Sequence, residues 1–248
     1  MCRLTKIALI TGGSRGIGAA AARVLAVEGY EVAVNYASNS EAAAGVVAGI
    51  LNTGGRAIAV KADVADPDAV EEMFRTVDRE LGPVTHLVNN AGVITQRGPF
   101  EELRQETIDR MIDVNVKGYL YCCLEAVKRM STKHGGKGGA IVNVSSGSAH
   151  LGSAGDSILY AMTKGAVNSL TSGLSQELAR QGVRVNTVAP GRIATDMPPA
   201  DKLAAAAPNL PMGRPGEPEE IANAIAYLLS DKAGYTSGAN LRVAGGRI

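Results

Sequence analysis

The sharpest chemistry in the chain lies in two residues, Tyr160 and Lys164, spaced i and i+4. A phenol with its ordinary pKa of ~10 exchanges protons poorly near neutrality, and a neighbouring ammonium stabilises phenolate and lowers that value. Positions four apart share one face of a helix, so Lys164 can set the charge balance of Tyr160. The same spacing also arises wherever a half-buried tyrosine merely precedes a solvated lysine. Ser146 follows the run Ile141-Val142-Asn143-Val144-Ser145. From there its hydroxyl can hold a substrate oxygen and stabilise charge developing on it, with Ser145 as the obvious rival. Asn115 stands inside a long helical stretch, where a plain reading makes it a polar residue at a kink.

A second group of residues offers a place for an anion. Thr11-Gly12-Gly13-Ser14-Arg15-Gly16-Ile17-Gly18 follows the apolar run Ile7–Ile10 and opens a helical stretch. Glycines at 12, 16 and 18 permit a tight turn, close approach to a pyrophosphate and close packing of the helix. The helix N-terminus adds free amides and a positive dipole end. The glycines alone are equally compatible with an ordinary glycine-rich turn; their position after the first strand is what gives them meaning.

The elements that must carry these groups alternate along the chain. Strands are expected at 7–10, 31–36, 56–61, 85–88, 140–144, 183–188 and 240–243. Helices are expected after the glycine turn and at 42–51, 67–81, about 106–130, 158–180 and 218–230. Asp66 caps the third helix with Pro67 at its first position, and Val70, Met73, Phe74, Val77 and Leu81 form its buried stripe. The strands lack clean period-two alternation, as strands covered on both faces do. Strand–helix alternation of this length implies an α/β fold: a Rossmann-type, doubly wound parallel sheet of about seven strands flanked by helices. No repeat or linker divides residues 1–248, so one domain is expected. Gly135–Gly139 reads as a flexible loop.

The chain has 248 residues with 25 basic and 24 acidic side chains, a net charge of +1. A single domain of this size buries about 70–75% of its unfolded surface and needs no disulfide or metal to stay folded. The even charge gives no reason to expect nucleic acid or an anionic membrane as partner. Charges interrupt every apolar run well before ~18 residues, so no membrane span is expected, and Cys2-Arg3-Leu4 leads straight into a strand without a signal-peptide core. Cys2, Cys122 and Cys123 make no disulfide framework and no C-x-x-C. Cys122 and Cys123 read as core or interface residues. His86, His134 and His150 are scattered without metal-ligand spacing, so no metal is expected. A cytoplasmic protein is the default.

In this order and register the motifs resemble those of the classical short-chain dehydrogenases/reductases. The glycine turn resembles that family's cofactor turn. Asp63-Val64 resembles its adenine contact, and Asn89-Asn90-Ala91-Gly92 the N-N-A-G that steadies the sheet and lines the cofactor cleft. Asn115, Ser146, Tyr160-x3-Lys164 and Pro190-Gly191-x3-Thr195 complete the pattern. The resemblance spans the whole chain and implies carbonyl–alcohol interconversion with Asn115, Ser146, Tyr160 and Lys164 as catalytic residues. Asn115 would order a water behind the lysine, and Lys164 would also bond the nicotinamide ribose. Implied cofactor contacts are Gly12, Ser14, Arg15, Gly16, Ile17 and Gly18 in the turn, then Asn35, Tyr36 and Ser38, then Asp63 and Val64. Asn89, Ala91 and Gly92 follow, then Tyr160 and Lys164, and last Pro190, Gly191, Ile193 and Thr195. Ser146 and Tyr160 are 14 apart, one more than in the commonest members, which implies an extra residue in the loop.

An acidic residue ending the second strand would hold a ribose 2′-hydroxyl and repel a 2′-phosphate. This strand ends Asn35-Tyr36-Ala37-Ser38-Asn39, with no carboxylate before Glu41, and Arg15 is available for a phosphate. NADP(H) is therefore favoured, with NAD(H) possible. The resemblance further implies a substrate lid over about 192–215, a mixed to apolar pocket including Ala149, Leu151, Ile158 and Met197, and a homotetramer. The subgroups nearest in pattern are sugar or polyol dehydrogenases and 3-oxoacyl reductases, so the substrate is a small carbonyl or alcohol of open identity. The alternatives are an NAD-preferring sugar/polyol dehydrogenase, a dinucleotide-binding regulator without catalysis, and a structural module.

Overall fold

Ile7–Ile10 (β1) is buried along its whole length, yet its side chains go to two different cores. Ala8 and Ile10 meet the helices of one face, and Ile7 and Leu9 meet those of the other. A strand covered on both sides has no polar face, which is why the sequence shows no period-two pattern. The computed structural model describes residues 5–197 and 200–247, with side chains described outside 200–202. Cys2 and the Cys2-Arg3-Leu4 lead-in lie outside the described residues, as do 198–199 of the expected lid.

Six further strands join β1: β2 (Glu31–Tyr36), β3 (Ala57–Lys61), β4 (His86–Asn89), β5 (Gly139–Val144), β6 (Val183–Pro190) and β7 (Asn240–Val243). All pairs are parallel, in the order β3-β2-β1-β4-β5-β6-β7. The chain winds outward from β1 to β3 and then restarts at β4. The switch point, where ligands of such sheets bind, therefore lies beyond the carboxyl ends of β1 and β4.

On one face α1 (Gly16–Val27), α2 (Ser40–Asn52) and α9 (Pro218–Leu229) pack on the sheet. On the other lie α3 (Pro67–Glu80), α5 (Gly118–Met130) and α7 (Ile158–Leu178), while α4 (Gln105–Ile112) precedes α5. Asp66 caps α3 as its sequence predicts, its carboxylate accepting from the amides of Asp68 and Ala69. Between α5 and β5, Gly135–Gly139 is a tied turn rather than a flexible loop: Gly136, Gly138 and Gly139 donate to the carbonyls of Ser131, Met130 and Gly182.

The helix expected over about 106–130 is not regular. Its α-helical geometry breaks into a π-helical turn at Asp113–Lys117 before α5 begins. Two short helices were not legible in the sequence, α6 (Ser148–Leu151) and, inside the expected lid, α8 (Ala200–Ala206).

Candidate active site

The glycine turn is braced from two sides. Gly12 adopts φ +60, which a residue with a β-carbon rarely takes. Its N–H donates to the Asn35 side chain at 3.1 Å, and Asn90 donates to the carbonyls of Thr11 and Gly12, both at 3.0 Å. A β-carbon at Gly18 would lie 2.3 Å from the Gly12 oxygen and 2.6 Å from the Asn90 amide nitrogen, so only glycine lets α1 come this close. The first bond of α1 runs from the Ala19 N–H to the Arg15 carbonyl, leaving the amides of 16–18 without an intrahelical acceptor. Arg15 is exposed, and its guanidinium makes no bond among the described residues. Ser14 is partly buried beside it.

Beyond the turn, a cavity of about 760 Å³ opens at the carboxyl ends of β1, β4, β5 and β6. It gathers Ile17 and Gly92 with Ser146, Tyr160 and Lys164. Pro190, Gly191, Ile193 and Thr195 close another side. Ile193 is pinned because Gly216 bonds both its neighbours, accepting from the Ala194 N–H and donating to the Arg192 carbonyl. Ala91 is steadied by its N–H to the Thr11 hydroxyl at 3.1 Å. Tyr36, Ser38, Asp63 and Val64 stand outside this cavity. Ser38 is exposed at the end of β2, and Tyr36 packs partly against the core.

Several expected cofactor contacts have side chains engaged elsewhere. Asn35 is buried, accepts from Gly12 and donates to the carbonyls of Val60 and Ala62, so it builds the turn rather than facing the cleft. The Asn89 side chain points into the core, donating to Cys123 and Asn143; its neighbour Asn90 is the one that lines the cavity. Val64 is buried against Gly118. Asp63 accepts from the Ala65 amide and from Arg110 at 2.8 Å; burial raises its carboxyl, and those bonds outweigh it to hold the carboxyl below the ordinary range. In each case chain order locates the strand end but not the direction of the side chain.

Ser145 and Ser146 are separated by their bonds. The Ser145 hydroxyl is buried and donates to the Lys164 carbonyl at 3.0 Å, so it ties β5 to α7. Ser146 accepts from the Ser148 amide, which starts α6 and leaves its own proton to donate into the cavity. Tyr160 is 8% exposed. Burial pushes its phenol up to about 12, against which the Ser146 hydroxyl and then the Arg97 guanidinium pull it down.

Lys164 is 2% exposed, and burial pulls its ammonium down to about 7. Its Nζ lies over the Tyr160 ring, 5.7 Å from the centroid, rather than at the phenol oxygen. It donates instead to the Val144 carbonyl at 2.7 Å and to the Tyr119 hydroxyl at 3.0 Å. The Tyr119 hydroxyl in turn donates to Val144 at 2.9 Å. Sequence reasoning passed over Tyr119, although it lies one helical turn beyond Asn115. Asn115 is fully buried in the π-helical turn, where its side chain accepts from the Val93 N–H and donates to the Val93 carbonyl and to Thr163. It thereby braces the segment after β4 at the back of the lysine.

Arg97 and Asp156 were likewise passed over. Both line the cavity, paired at 2.6 Å. Cys122 and Cys123 are buried on α5 with their thiols raised by burial, Cys123 to about 12, as suits core residues. Among the described residues no three His, Cys, Asp or Glu side chains gather as a metal site would need, and no helix is long and apolar enough to cross a membrane.

Residues 12–247 match a family model described as enoyl-(acyl carrier protein) reductase. The chain is 50% identical over 245 residues to an Escherichia coli (strain K12) protein named uncharacterized oxidoreductase YgfF, covering 97% of this chain and 99% of that one. It is 42% identical over 247 residues to the 3-oxoacyl-(acyl-carrier-protein) reductase FabG of Staphylococcus aureus (strain Mu50), covering 98% of each. A solved short-chain dehydrogenase of Burkholderia cenocepacia J2315, in complex with NADP, superposes with a TM-score of 0.89 at 38% identity, covering 98% of both chains.

Proposed function

The chain belongs to the short-chain dehydrogenase/reductase family, and we propose that it interconverts a carbonyl and a secondary alcohol with NADP(H), Tyr160 serving as general acid/base. The observation that carries this reading is the meeting of Tyr160, Ser146 and Lys164 in one cavity beside the glycine turn. Its residues fit a dinucleotide. The turn excludes β-carbons where a pyrophosphate must approach, and the amides of 16–18 face no intrahelical acceptor. Bound there, the cofactor would supply or accept the hydride.

The chain's own residues manage the proton. In reduction Tyr160 gives its phenolic proton to the oxygen of the substrate carbonyl, and in oxidation it takes that proton back. The Ser146 hydroxyl donates to the same oxygen and stabilises the charge developing on it. Lys164, held under the Tyr160 ring, supplies the positive charge that makes phenolate accessible from a phenol raised by burial. Asn115 acts by fixing Val93 and Thr163 around that lysine.

Preference for NADP(H) is supported by the exposed Arg15 and by the absence of a carboxylate over Asn35–Asn39. Of those residues Asn39 accepts from the Ala42 amide through its Oδ1 as the cap of α2, which leaves its Nδ2 together with Tyr36 and Ser38 to donate to a phosphate. The NADP complex of the Burkholderia relative agrees. We take residues 1–248 as one cofactor-binding domain with a lid over about 192–215, acting in the cytoplasm as a homotetramer on a small molecule.

One experiment tests the reading: carbonyls and alcohols are screened with NADPH and NADH on the wild-type protein, Tyr160→Phe and Tyr36→Asp. Tyr160→Phe should keep NADPH binding and lose about 10²–10⁴-fold in turnover. Tyr36→Asp should move preference toward NADH. Full activity of Tyr160→Phe would refute the proton-transfer role, and an unmoved cofactor ratio in Tyr36→Asp would refute the NADP(H) assignment.

A further inference from the structure

The cavity carries more positive charge than a neutral sugar, ketone or acyl chain requires. Arg97, Arg192 and Arg247 line it, and among the described residues Asp156 is its single carboxylate. The chain as a whole is nearly balanced, so this bias is local.

Arg97 stands on the segment between β4 and α4. Its Nη1 donates to Asp156 at 2.6 Å, and the same carboxylate oxygen accepts from the Ser157 hydroxyl at 2.9 Å. The Gly98 amide also bonds the Asp156 carbonyl at 2.8 Å, so the pair is tied through backbone as well as side chains. Asp156 thus occupies one edge of the guanidinium. Its Nη2 and Nε make no hydrogen bond among the described residues, and a planar fork of donors is left over. The side chain is 29% exposed and lines the same cavity as Tyr160, whose phenol its charge pulls down.

Arg192 follows Gly191 at the end of β6, and Arg247 arrives through the C-terminal turn in which its N–H bonds Ala244. Neither side chain has a hydrogen-bond or ion-pair partner among the described residues. A guanidinium prefers a planar anion that accepts two parallel bonds, and that preference strengthens where water is partly excluded.

We propose that the substrate is anionic: a short oxo acid or the matching hydroxy acid, its carboxylate a few atoms from the carbonyl carbon and bound by Arg97, with Arg192 and Arg247 completing the field. This deepens the oxidoreductase reading and rests on it for the chemistry, though not for the binding. Ile94, Leu151 and Met197 leave room for a short apolar stem and make the carboxylate the main handle.

The test pairs turnover with binding. Reduction of acetoacetate and of methyl acetoacetate by NADPH is compared in the wild-type protein and in Arg97→Gln. Binding of malonate and of dimethyl malonate to the NADP⁺-saturated protein is measured by calorimetry in the same two proteins, whose folding is checked by NADPH binding. The acid is expected to exceed its ester by about tenfold or more in kcat/KM, and malonate alone should bind. In Arg97→Gln the acid-to-ester ratio should collapse toward one and malonate affinity should fall by about tenfold. Ester reduced as well as acid, or no binding of malonate, overturns the proposal. Malonate binding that depends on Arg97, with no carbonyl reduced, would uphold the anion site and sink the oxidoreductase reading instead.

Discussion

Lys164 shows how much of the chemistry depends on contacts that chain order does not reveal. The i,i+4 spacing to Tyr160 is visible in the sequence, but the bonds that hold the ammonium come from Tyr119 and from the Val144 carbonyl, on other elements. Burial drives the lysine down to about 7, so each acceptor that favours its charged form matters near neutrality. Tyr119→Phe keeps the ring and removes one acceptor, and the ammonium becomes harder to hold. Lys164 is charged below its pKa, and the proposed reduction needs it charged. The fall in reduction rate with rising pH should therefore begin about one unit lower in Tyr119→Phe than in the wild type. Rate profiles from pH 5 to 9 read this directly; superimposable profiles would remove Tyr119 from the site. Asn35, Asn89 and Asn115 teach the complementary lesson. Their positions at strand ends and in the helix were legible. Their side-chain directions were not, because groups far off in sequence, such as the Val93 backbone for Asn115 and the Cys123 and Asn143 side chains for Asn89, decide them.

At the scale of elements, the strands and most helices followed from apolar runs, caps and glycines, since local propensity and tertiary packing agree there. The π-helical turn at Asp113–Lys117 did not follow, because it is fixed by Asn115 pairing with a segment 22 residues away. Nor did α6, whose start is the Ser146–Ser148 turn inside the longer loop. The glycine turn was legible as a motif, and the structure gives its glycines unequal importance. Gly18→Ala drives a β-carbon into the Gly12 carbonyl and the Asn90 amide and should cost about 1–3 kcal/mol while weakening NADPH binding. Gly49, in α2, has nothing within 4 Å of its added carbon, so Gly49→Ala should stabilise by about 0.4–1 kcal/mol. Thermal unfolding with NADPH titration compares the two. Equal effects would mean that helix propensity, and not the close approach of α1, governs position 18.

For the whole molecule, the doubly wound topology could be read from strand–helix alternation, and with it the switch point where the site sits. Assembly is a different matter, because its signal lies in what the fold leaves uncovered. Leu120 and Leu124 are 41% and 60% exposed on α5, in one stripe between Lys117 and Lys128, and Met162 is 54% exposed on α7. At the opposite end of the sheet order from β3, β7 is an edge strand with Leu241 exposed and a row of backbone groups free among the described residues. Two separate uncovered surfaces, each able to meet its own copy about a two-fold axis, are what a tetramer of dihedral symmetry requires. A charge at the centre of the helical stripe should then break one interface and spare the other. Leu124→Arg is expected to keep the wild-type circular dichroism and to halve the mass measured by light scattering, from the proposed tetramer to a dimer. Because the cavity is built within one chain, the dimer should still bind NADPH. An unchanged mass in Leu124→Arg would show that α5 is not a contact surface, and a monomer would show that the β7 edge cannot hold two copies alone.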